Sequence, residues 1–293
     1  MKKTFLFILT GMLVCLFPSC KESNTPADLG EDTPAANKEF SVSATKKVYF
    51  SQGNLQYQAS TKTWWFAERQ YDYIGIENEN ISDSYTGLID LFEWGTGNNP
   101  TKTFTSWDDY TTFIDWGVNP ISNGGNKANL WRTLTKNEYS YLFVNRPDAA
   151  RLFAFGKVRG ISGIILLPDE WNTPDGVTFI PSTENGLENK GNYYSGHHGD
   201  QFSDNTYTAE QWSLMEKAGA VFLPAAGYRH HGKDYQVGDD DELGGTYWSS
   251  TEAESGYVYI LLFGIERNEA YLEWQYDTKV DDAFSVRLVQ DVK

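Results

Sequence analysis

The chain has 293 residues, 15% of them aromatic, and a formal net charge of −16 at pH 7. This acidic balance argues against nucleic-acid binding, because phosphate recognition depends on clustered lysine and arginine. The only cysteines are Cys15 and Cys20, so residues 21–293 can hold neither a disulfide, a cysteine nucleophile nor a cysteine-ligated metal.

The first twenty residues have the pattern of an export signal. Met1-Lys2-Lys3 is basic, the stretch from Thr4 to Phe17 is almost entirely apolar, and Cys20 follows closely. Such a stretch is shorter than the roughly 20 apolar residues that span a bilayer. The position of Cys20 resembles a bacterial lipobox, so we predict a lipoprotein signal peptide over residues 1–19 and lipidation at Cys20. An ordinary cleaved signal is the alternative.

Residues 20–39 form the next segment. They are polar, contain Pro26 and Pro34, and show no apolar period, which predicts a flexible tether. Lys21-Glu22 resembles the surface-export tags of Bacteroidetes lipoproteins, so we expect the protein at the outer membrane, facing the cell exterior. No linker-like stretch recurs after residue 40, and residues 40–293 are predicted to be a single domain.

Local patterns within this domain predict several elements. Alternating apolar residues indicate strands, a continuous apolar run indicates a buried strand, and the capping-box pairs Thr135 with Glu138 and Thr208 with Gln211 each indicate the start of a short helix. The predicted elements are strands around residues 48–50 and 54–57, a short helix at 67–71, helices after Thr135 and Thr208, and a buried strand at 161–167.

The last 75 or so residues hold four strand-like runs, at 219–229, 247–250, 257–263 and 285–289. Their order, Gly-Ala-Val-Phe-Leu-Pro-Ala-Ala-Gly-Tyr-Arg, then Tyr-Trp-Ser-Ser, an aromatic strand and Ser-Val-Arg-Leu-Val, resembles the Fibrobacter succinogenes major paralogous domain. That family resembles formylglycine-generating enzyme and includes surface lipoproteins of gut Bacteroidetes. The resemblance implies an α+β, C-type lectin-like fold with short antiparallel strands, two short helices and long loops.

The resemblance also implies a function. The cysteines on which formylglycine-generating oxidase activity depends are absent here, so we expect a binding protein rather than an enzyme, with loops that are diversified in some related proteins. The four runs should form the floor of the site, with Tyr228, Trp248 and Arg287 in structural roles. The predicted ligand contacts come from the intervening segments: His230, His231, Lys233, Asp234, Tyr235, Thr251, Glu252, Glu254, Glu266, Tyr271 and Trp274. The ligand is expected to be a protein or a glycan.

Other functions remain open at this point. A carboxylate pair among Glu252, Glu254, Glu266, Glu269 and Glu273 would suit a carbohydrate-active hydrolase, and a structural envelope or adhesin subunit is a third reading. Adjacent histidines at 197–198 and 230–231 lack metal-ligand spacing. The acidic loop at 239–242 lacks the spaced ligands of a dedicated Ca²⁺ site. We therefore expect no metal or other cofactor, with Ca²⁺ left open.

Overall fold

Short strands make up most of the regular structure. The computed structural model describes residues 38–106, 112–197, 200–230, 234–236, 243–254 and 256–293. Within these ranges lie twenty strands, two α-helices and several single turns of 3₁₀ or π helix. This composition confirms the predicted α+β class. None of the described helices is both long and apolar enough to cross a membrane.

The strands, numbered in chain order, are β1 (Phe40–Ser41), β2 (Lys47–Phe50), β3 (Leu55–Gln58), β4 (Thr63–Phe66), β5 (Leu88–Ile89), β6 (Phe92–Glu93), β7 (Arg132–Thr133), β8 (Phe153–Val158), β9 (Ile161–Leu166), β10 (Glu188–Asn189), β11 (Tyr193–His197), β12 (Thr206–Tyr207), β13 (Val221–Pro224), β14 (Tyr228–His230), β15 (Asp234–Gln236), β16 (Leu243–Glu252), β17 (Tyr257–Glu266), β18 (Glu269–Lys279), β19 (Asp282–Phe284) and β20 (Leu288–Asp291).

The two α-helices begin where the capping boxes predict. Helix α1 (Lys136–Ser140) follows Thr135 and continues as a π turn over Tyr141–Asn145, and helix α2 (Ala209–Lys217) follows Thr208. In both, the threonine hydroxyl accepts from the backbone N–H three residues on, and that residue's side chain accepts from the threonine N–H. The helix expected at 67–71 is wrong, because this segment turns without helical bonds.

The strands form five sheets, with orders β1-β2-β20-β7, β10-β11-β18-β17-β16, β12-β8-β9-β13, β15-β14-β19-β6 and β4-β3-β5. The predicted strands at 48–50 and 54–57 exist as β2 and β3 but lie in different sheets, and the buried strand at 161–167 is β9. One face of the five-stranded sheet packs on β8, β9, β13 and α1 in a shared hydrophobic cluster. Part of its other face packs on the β3–β5 and β6–β19 sheets.

The four C-terminal runs do not form one floor. Residues 219–229 divide between β13 and β14, while the other three runs contribute β16, β17 and β20, so the four runs reach four different sheets. Only β16 and β17 are neighbours in the five-stranded sheet, whose remaining length comes from β18, β11 and β10. The expectation of a single rigid floor built from these runs is therefore wrong.

Arg287 links segments of these sheets, which are also connected by backbone bridges between Tyr247 and Ser285 and between Gly227 and Gly245. Its side chain is 1% exposed, and its Nη1 donates to Asn54 Oδ1 at 3.2 Å while its Nη2 donates to Gln70 Oε1 at 2.8 Å. Asn54 in turn donates to the hydroxyl of Tyr247, which donates to the carbonyl of Pro224. One guanidinium thus connects the segments that carry β3, β13, β16 and β20.

The same network explains why 67–71 is not helical. The Gln70 side chain is fully buried, its Oε1 also accepts from the backbone N–H of Phe222, and its Nε2 donates to the Ala220 carbonyl and to Glu216 Oε1. These bonds fix Gln70 in the core. The side-chain amide of Gln70 therefore bridges the buried guanidinium of Arg287 and the carboxylate of Glu216. Burial lowers the pKa of Arg287 to about 10, which leaves it charged at neutral pH.

Removing this cation should destabilise the whole domain. Arg287→Ala leaves the buried Asn54 Oδ1 without its donor and Gln70 Oε1 with the Phe222 N–H alone, and we expect it to lower the free energy of unfolding by about 3 kcal/mol or more. Arg287→Lys keeps the charge but not the planar fork that reaches two acceptors, so an intermediate loss is expected. The measurement is chemical denaturation of each variant, with Arg151→Ala as the control because Arg151 is 72% exposed. A loss below about 1 kcal/mol for Arg287→Ala would contradict this role.

Candidate functional site

An open cleft of about 700 Å³ lies on the five-stranded sheet, on the face opposite the core cluster that packs on β8 and β9. Its floor comes from β11, β16, β17 and β18, and its far wall comes from β14 and β19. We call it the β18 cleft. Its lining residues are Tyr193, Ser195, Tyr228, His230, Thr246, Ile260, Leu262, Glu266, Arg267, Glu269, Tyr271, Glu273, Tyr276, Thr278, Asp282 and Phe284.

Strand β18 sets the character of the cleft because its side chains alternate between two faces. Ala270, Leu272 and Trp274 are fully buried on the core side. The alternate residues Glu269, Tyr271 and Glu273 are half-buried, point to the other face and line the cleft. The polar residues of this strand therefore reach solvent without disturbing the apolar packing behind them.

Strand pairing arranges the floor in rows. Glu273 lies between Tyr193 of β11 and Leu262 of β17, and Leu262 pairs with Thr246. In the next row Tyr271 lies between Ser195 and Gly264. Gly264 pairs with Gly244, and a Cβ at Gly244 would stand 3.8 Å from the Tyr271 hydroxyl, so the Tyr271 side chain extends across this glycine pair. The last row places Glu269 opposite Glu266.

In the described part of the chain, four carboxylates line the β18 cleft, and two of them have cationic or hydroxyl partners. Asp282 accepts from the Thr278 hydroxyl at 2.9 Å and contacts Nδ1 of His230, whose side chain is 47% exposed. Glu266 lies 3.4 Å from the guanidinium of Arg267, at the β17–β18 turn. Burial raises the pKa of Glu273. A half-buried carboxyl with a raised pKa inside a cleft is a frequent mark of a functional site.

A buried ion pair supports the far wall. Glu93 of β6 and Arg229 of β14 lie on either side of Ala283 in one row of their sheet, with Glu93 Oε1 and Arg229 Nη1 3.2 Å apart. Both side chains are at most 1% exposed. Burial raises the pKa of Glu93, and the charge of Arg229 opposes that rise. The pair fixes β14 against β19, and with it the neighbouring His230 and Asp282.

Three of the predicted contact residues meet in the β18 cleft: His230, Glu266 and Tyr271. Thr251, Glu252 and Glu254 lie at and beyond the far end of β16, outside the cleft lining, where the Thr251 hydroxyl accepts from the Lys136 N–H. Asp234 and Tyr235 contribute backbone to β15, and their side chains fall outside the described part of the chain. His231, Lys233 and Cys20 also lie outside the described residues.

The prediction of Trp274 as a contact residue is wrong. Its side chain is fully buried and packs against Phe143, with ring centroids 6.1 Å apart, and against Tyr194 at 5.7 Å. Trp274 belongs to the core face of β18, so replacing it with alanine would cost about 3–5 kcal/mol of stability rather than report on binding. Of the three residues expected to be structural, Trp248 and Arg287 are buried, whereas the half-buried Tyr228 lines the cleft.

Sequence reasoning did not single out several cleft residues, among them Tyr193, Glu273 as a contact, Tyr276 and Asp282. A signal was present for β18, because residues 269–274 alternate polar and apolar side chains with the period of a strand. Tyr193 offered no comparable signal, since only pairing with a strand 80 residues away brings it to the site.

Within the described ranges, no group of three or more His, Cys, Asp or Glu side chains is placed to hold a metal ion. The acidic loop at 239–242 and His198 lie outside those ranges.

Comparison with known proteins adds no further assignment. No family model, no curated protein and no solved structure matches the chain.

The raised pKa of Glu273 predicts a pH-dependent effect on stability. Since folding favours the protonated carboxyl, its ionisation at neutral pH opposes folding, and Glu273→Gln should increase the free energy of unfolding at pH 8. The difference should vanish as pH falls below about 4, where the carboxyl is protonated even in the unfolded chain. Denaturation curves at several pH values measure this. Glu252→Gln is the matched control because Glu252 is exposed and outside the cleft. A Glu273→Gln variant that is less stable than the parent protein at pH 8 would contradict the prediction.

Proposed function

We propose that this protein is a surface lipoprotein that binds a ligand in the β18 cleft, on a C-type lectin-like domain related to the Fibrobacter succinogenes major paralogous domain. The observation that carries the binding function is the cleft, whose 700 Å³ is within the size range of small-molecule and peptide sites. The lipoprotein assignment rests on the N-terminal signal pattern and Cys20.

Exposed tyrosines support binding at this face. Tyr276 is 46% exposed and Tyr193 38%, and both line the cleft with the half-buried Tyr228 and Tyr271. Tyrosine supplies a large contact area at a small entropic cost because only two side-chain torsions are fixed. The proposed site is therefore the sheet face rather than the loop at 251–254.

A second candidate function, a carbohydrate-active hydrolase, is favoured by the carboxylates. Glu266, Glu269 and Glu273 share the cleft, whereas Glu252 and Glu254 lie elsewhere. The raised pKa of Glu273 suits a general acid. Its partner carboxylate would be Glu269, which is four residues along the same strand, or roughly 13 Å between backbones. Inverting enzymes hold their carboxyl groups about 6.5–9.5 Å apart, so the two side chains would have to lean together.

A glycan and protein array probed with the full chain in detergent tests both candidates. We expect saturable binding without turnover, and the double variant Tyr193→Ala/Tyr276→Ala should weaken it at least roughly tenfold, since stacking contacts are worth about 1 kcal/mol or more each. Tyr257→Ala is the control, because Tyr257 is 38% exposed and outside the cleft. Equal losses in both variants would contradict the proposed site. Glycan cleavage that Glu273→Gln abolishes would instead assign the hydrolase.

Lipid anchoring is tested separately. Cys20→Ser removes the proposed acylation site and with it the acyl chains that would anchor the protein. The variant should therefore leave the membrane fraction while retaining the circular dichroism spectrum of the parent protein. Fractionation of cells followed by immunoblotting measures the distribution. Retention of the variant in the membrane fraction would overturn the anchoring proposal.

A further inference from the structure

We propose that the β18 cleft recognises an organic cation, an alkylammonium or guanidinium group, seated on the Tyr271 ring between Glu269 and Glu273. The inference rests on the proposed function, since it names the ligand chemistry of the same site. It goes further by assigning the carboxylates a binding role and by fixing the charge of the ligand.

The first support is the balance of charge in the cleft. Among the described residues, the lining holds four carboxylates against one arginine and one histidine. Arg267 pairs with Glu266, and His230 contacts Asp282, so both of these basic side chains already have a carboxylate partner. Among the described residues, Glu269 and Glu273 form no ion pair within 4 Å, and the nearby Lys190 is held by Glu188 at 2.6 Å. Two carboxylates therefore remain for a ligand.

The second support is the order of side chains along β18. Glu269, Tyr271 and Glu273 lie on one face at alternate positions, so the backbone of each glutamate is about 7 Å from that of Tyr271 and its side chain can extend toward the ring. A cation above the ring is attracted by the π electrons, and the flanking carboxylates can accept its N–H groups in charge-assisted hydrogen bonds. The Tyr271 side chain extends across the glycine pair Gly264 and Gly244, and its hydroxyl is 3.8 Å from where a Cβ at Gly244 would stand, so the ring lies along the sheet.

The third support is the state of Glu273. Burial raises the pKa of this carboxyl, because partial removal from water disfavours its ionised form. A bound cation stabilises the ionised form and lowers the pKa again, which predicts tighter binding as pH rises through the titration of Glu273. Anionic ligands are repelled by the carboxylates of the cleft and by the net charge of −16.

Cations of this kind come from two sources, a lysine or arginine side chain of an extended peptide and a free polyamine. The spacing of Glu269 and Glu273 equals four residues of extended chain, so a peptide with lysines four positions apart matches both carboxylates in register. The test therefore uses the end-blocked peptide Lys-Ala-Ala-Ala-Lys, the same peptide with norleucine for lysine, spermidine, and neutral oligosaccharides.

Calorimetric titration of the full chain in detergent gives the decisive comparison. We expect the lysine peptide or spermidine to bind, the norleucine peptide not to bind, and the affinity to fall with added salt. The double variant Glu269→Gln/Glu273→Gln should bind at least roughly tenfold more weakly, a change of about 1.4 kcal/mol. The control Glu252→Gln/Glu254→Gln changes the net charge equally but outside the cleft, so it should bind like the parent protein. Equal melting temperatures establish that both variants fold.

Three results would overturn the inference. Equal weakening in both double variants would mean attraction by overall charge rather than by this site. Failure of both cationic probes to bind would exclude the ligand class. Binding of neutral oligosaccharides alone, lost in Tyr193→Ala/Tyr276→Ala, would also exclude a cationic ligand while leaving the proposed binding function intact. If no ligand on the array binds in the β18 cleft, the proposed function itself is wrong.

Discussion

The buried guanidinium of Arg287 constrains how the sheets meet, together with the backbone bridges between Tyr247 and Ser285 and between Gly227 and Gly245. The segments it joins lie far apart in the sequence, and among the described residues no carboxylate lies within 4 Å of it. Its charge is held instead by amide oxygens, two of them side chains that are themselves fixed by further hydrogen bonds. Because a buried cation without acceptors is costly, the folded state is stabilised only when these acceptors surround the guanidinium. The network therefore selects one relative placement of these segments.

This network also explains how three of the four C-terminal runs are held together. Their apolar residues fill three different clusters, so hydrophobicity alone would not fix how they meet. The link from Arg287 through Asn54 to Tyr247 and on to the Pro224 carbonyl brings three of the four runs together at one point. The network gives these runs a structural role, and Tyr228, Ile260 and Leu262 of the same runs also line the β18 cleft.

Sequence reasoning succeeded where the signal is local. The capping boxes at Thr135 and Thr208 involve residues three apart, and the buried strand β9 is one continuous apolar run. It failed where a distant partner decides the outcome. The segment 67–71 has helix-compatible residues, but Gln70 is drawn into the core by Arg287 and Phe222.

The candidate site shows the same division. His230, Glu266 and Tyr271 were predicted from their position between the runs, and all three line the β18 cleft. Trp274 was assigned to the wrong face because the segment after β17 was treated as a loop, although its alternation is that of a strand. Once β18 is known, the period of two separates Trp274 from Glu273 directly. The contribution of Tyr193 follows only from the pairing of β11 with β18.

Cation binding in the β18 cleft can be tested directly by an NMR titration of the full chain carrying ¹³C-labelled tyrosine, with resonances assigned from Tyr→Phe variants and the end-blocked Lys-Ala-Ala-Ala-Lys peptide as the ligand. We expect the ring signals of Tyr193, Tyr271 and Tyr276 to shift together along one binding curve, while those of Tyr257 and Tyr259 stay in place. Shifts confined to Tyr257 and Tyr259, or spread evenly over all tyrosines, would contradict this expectation.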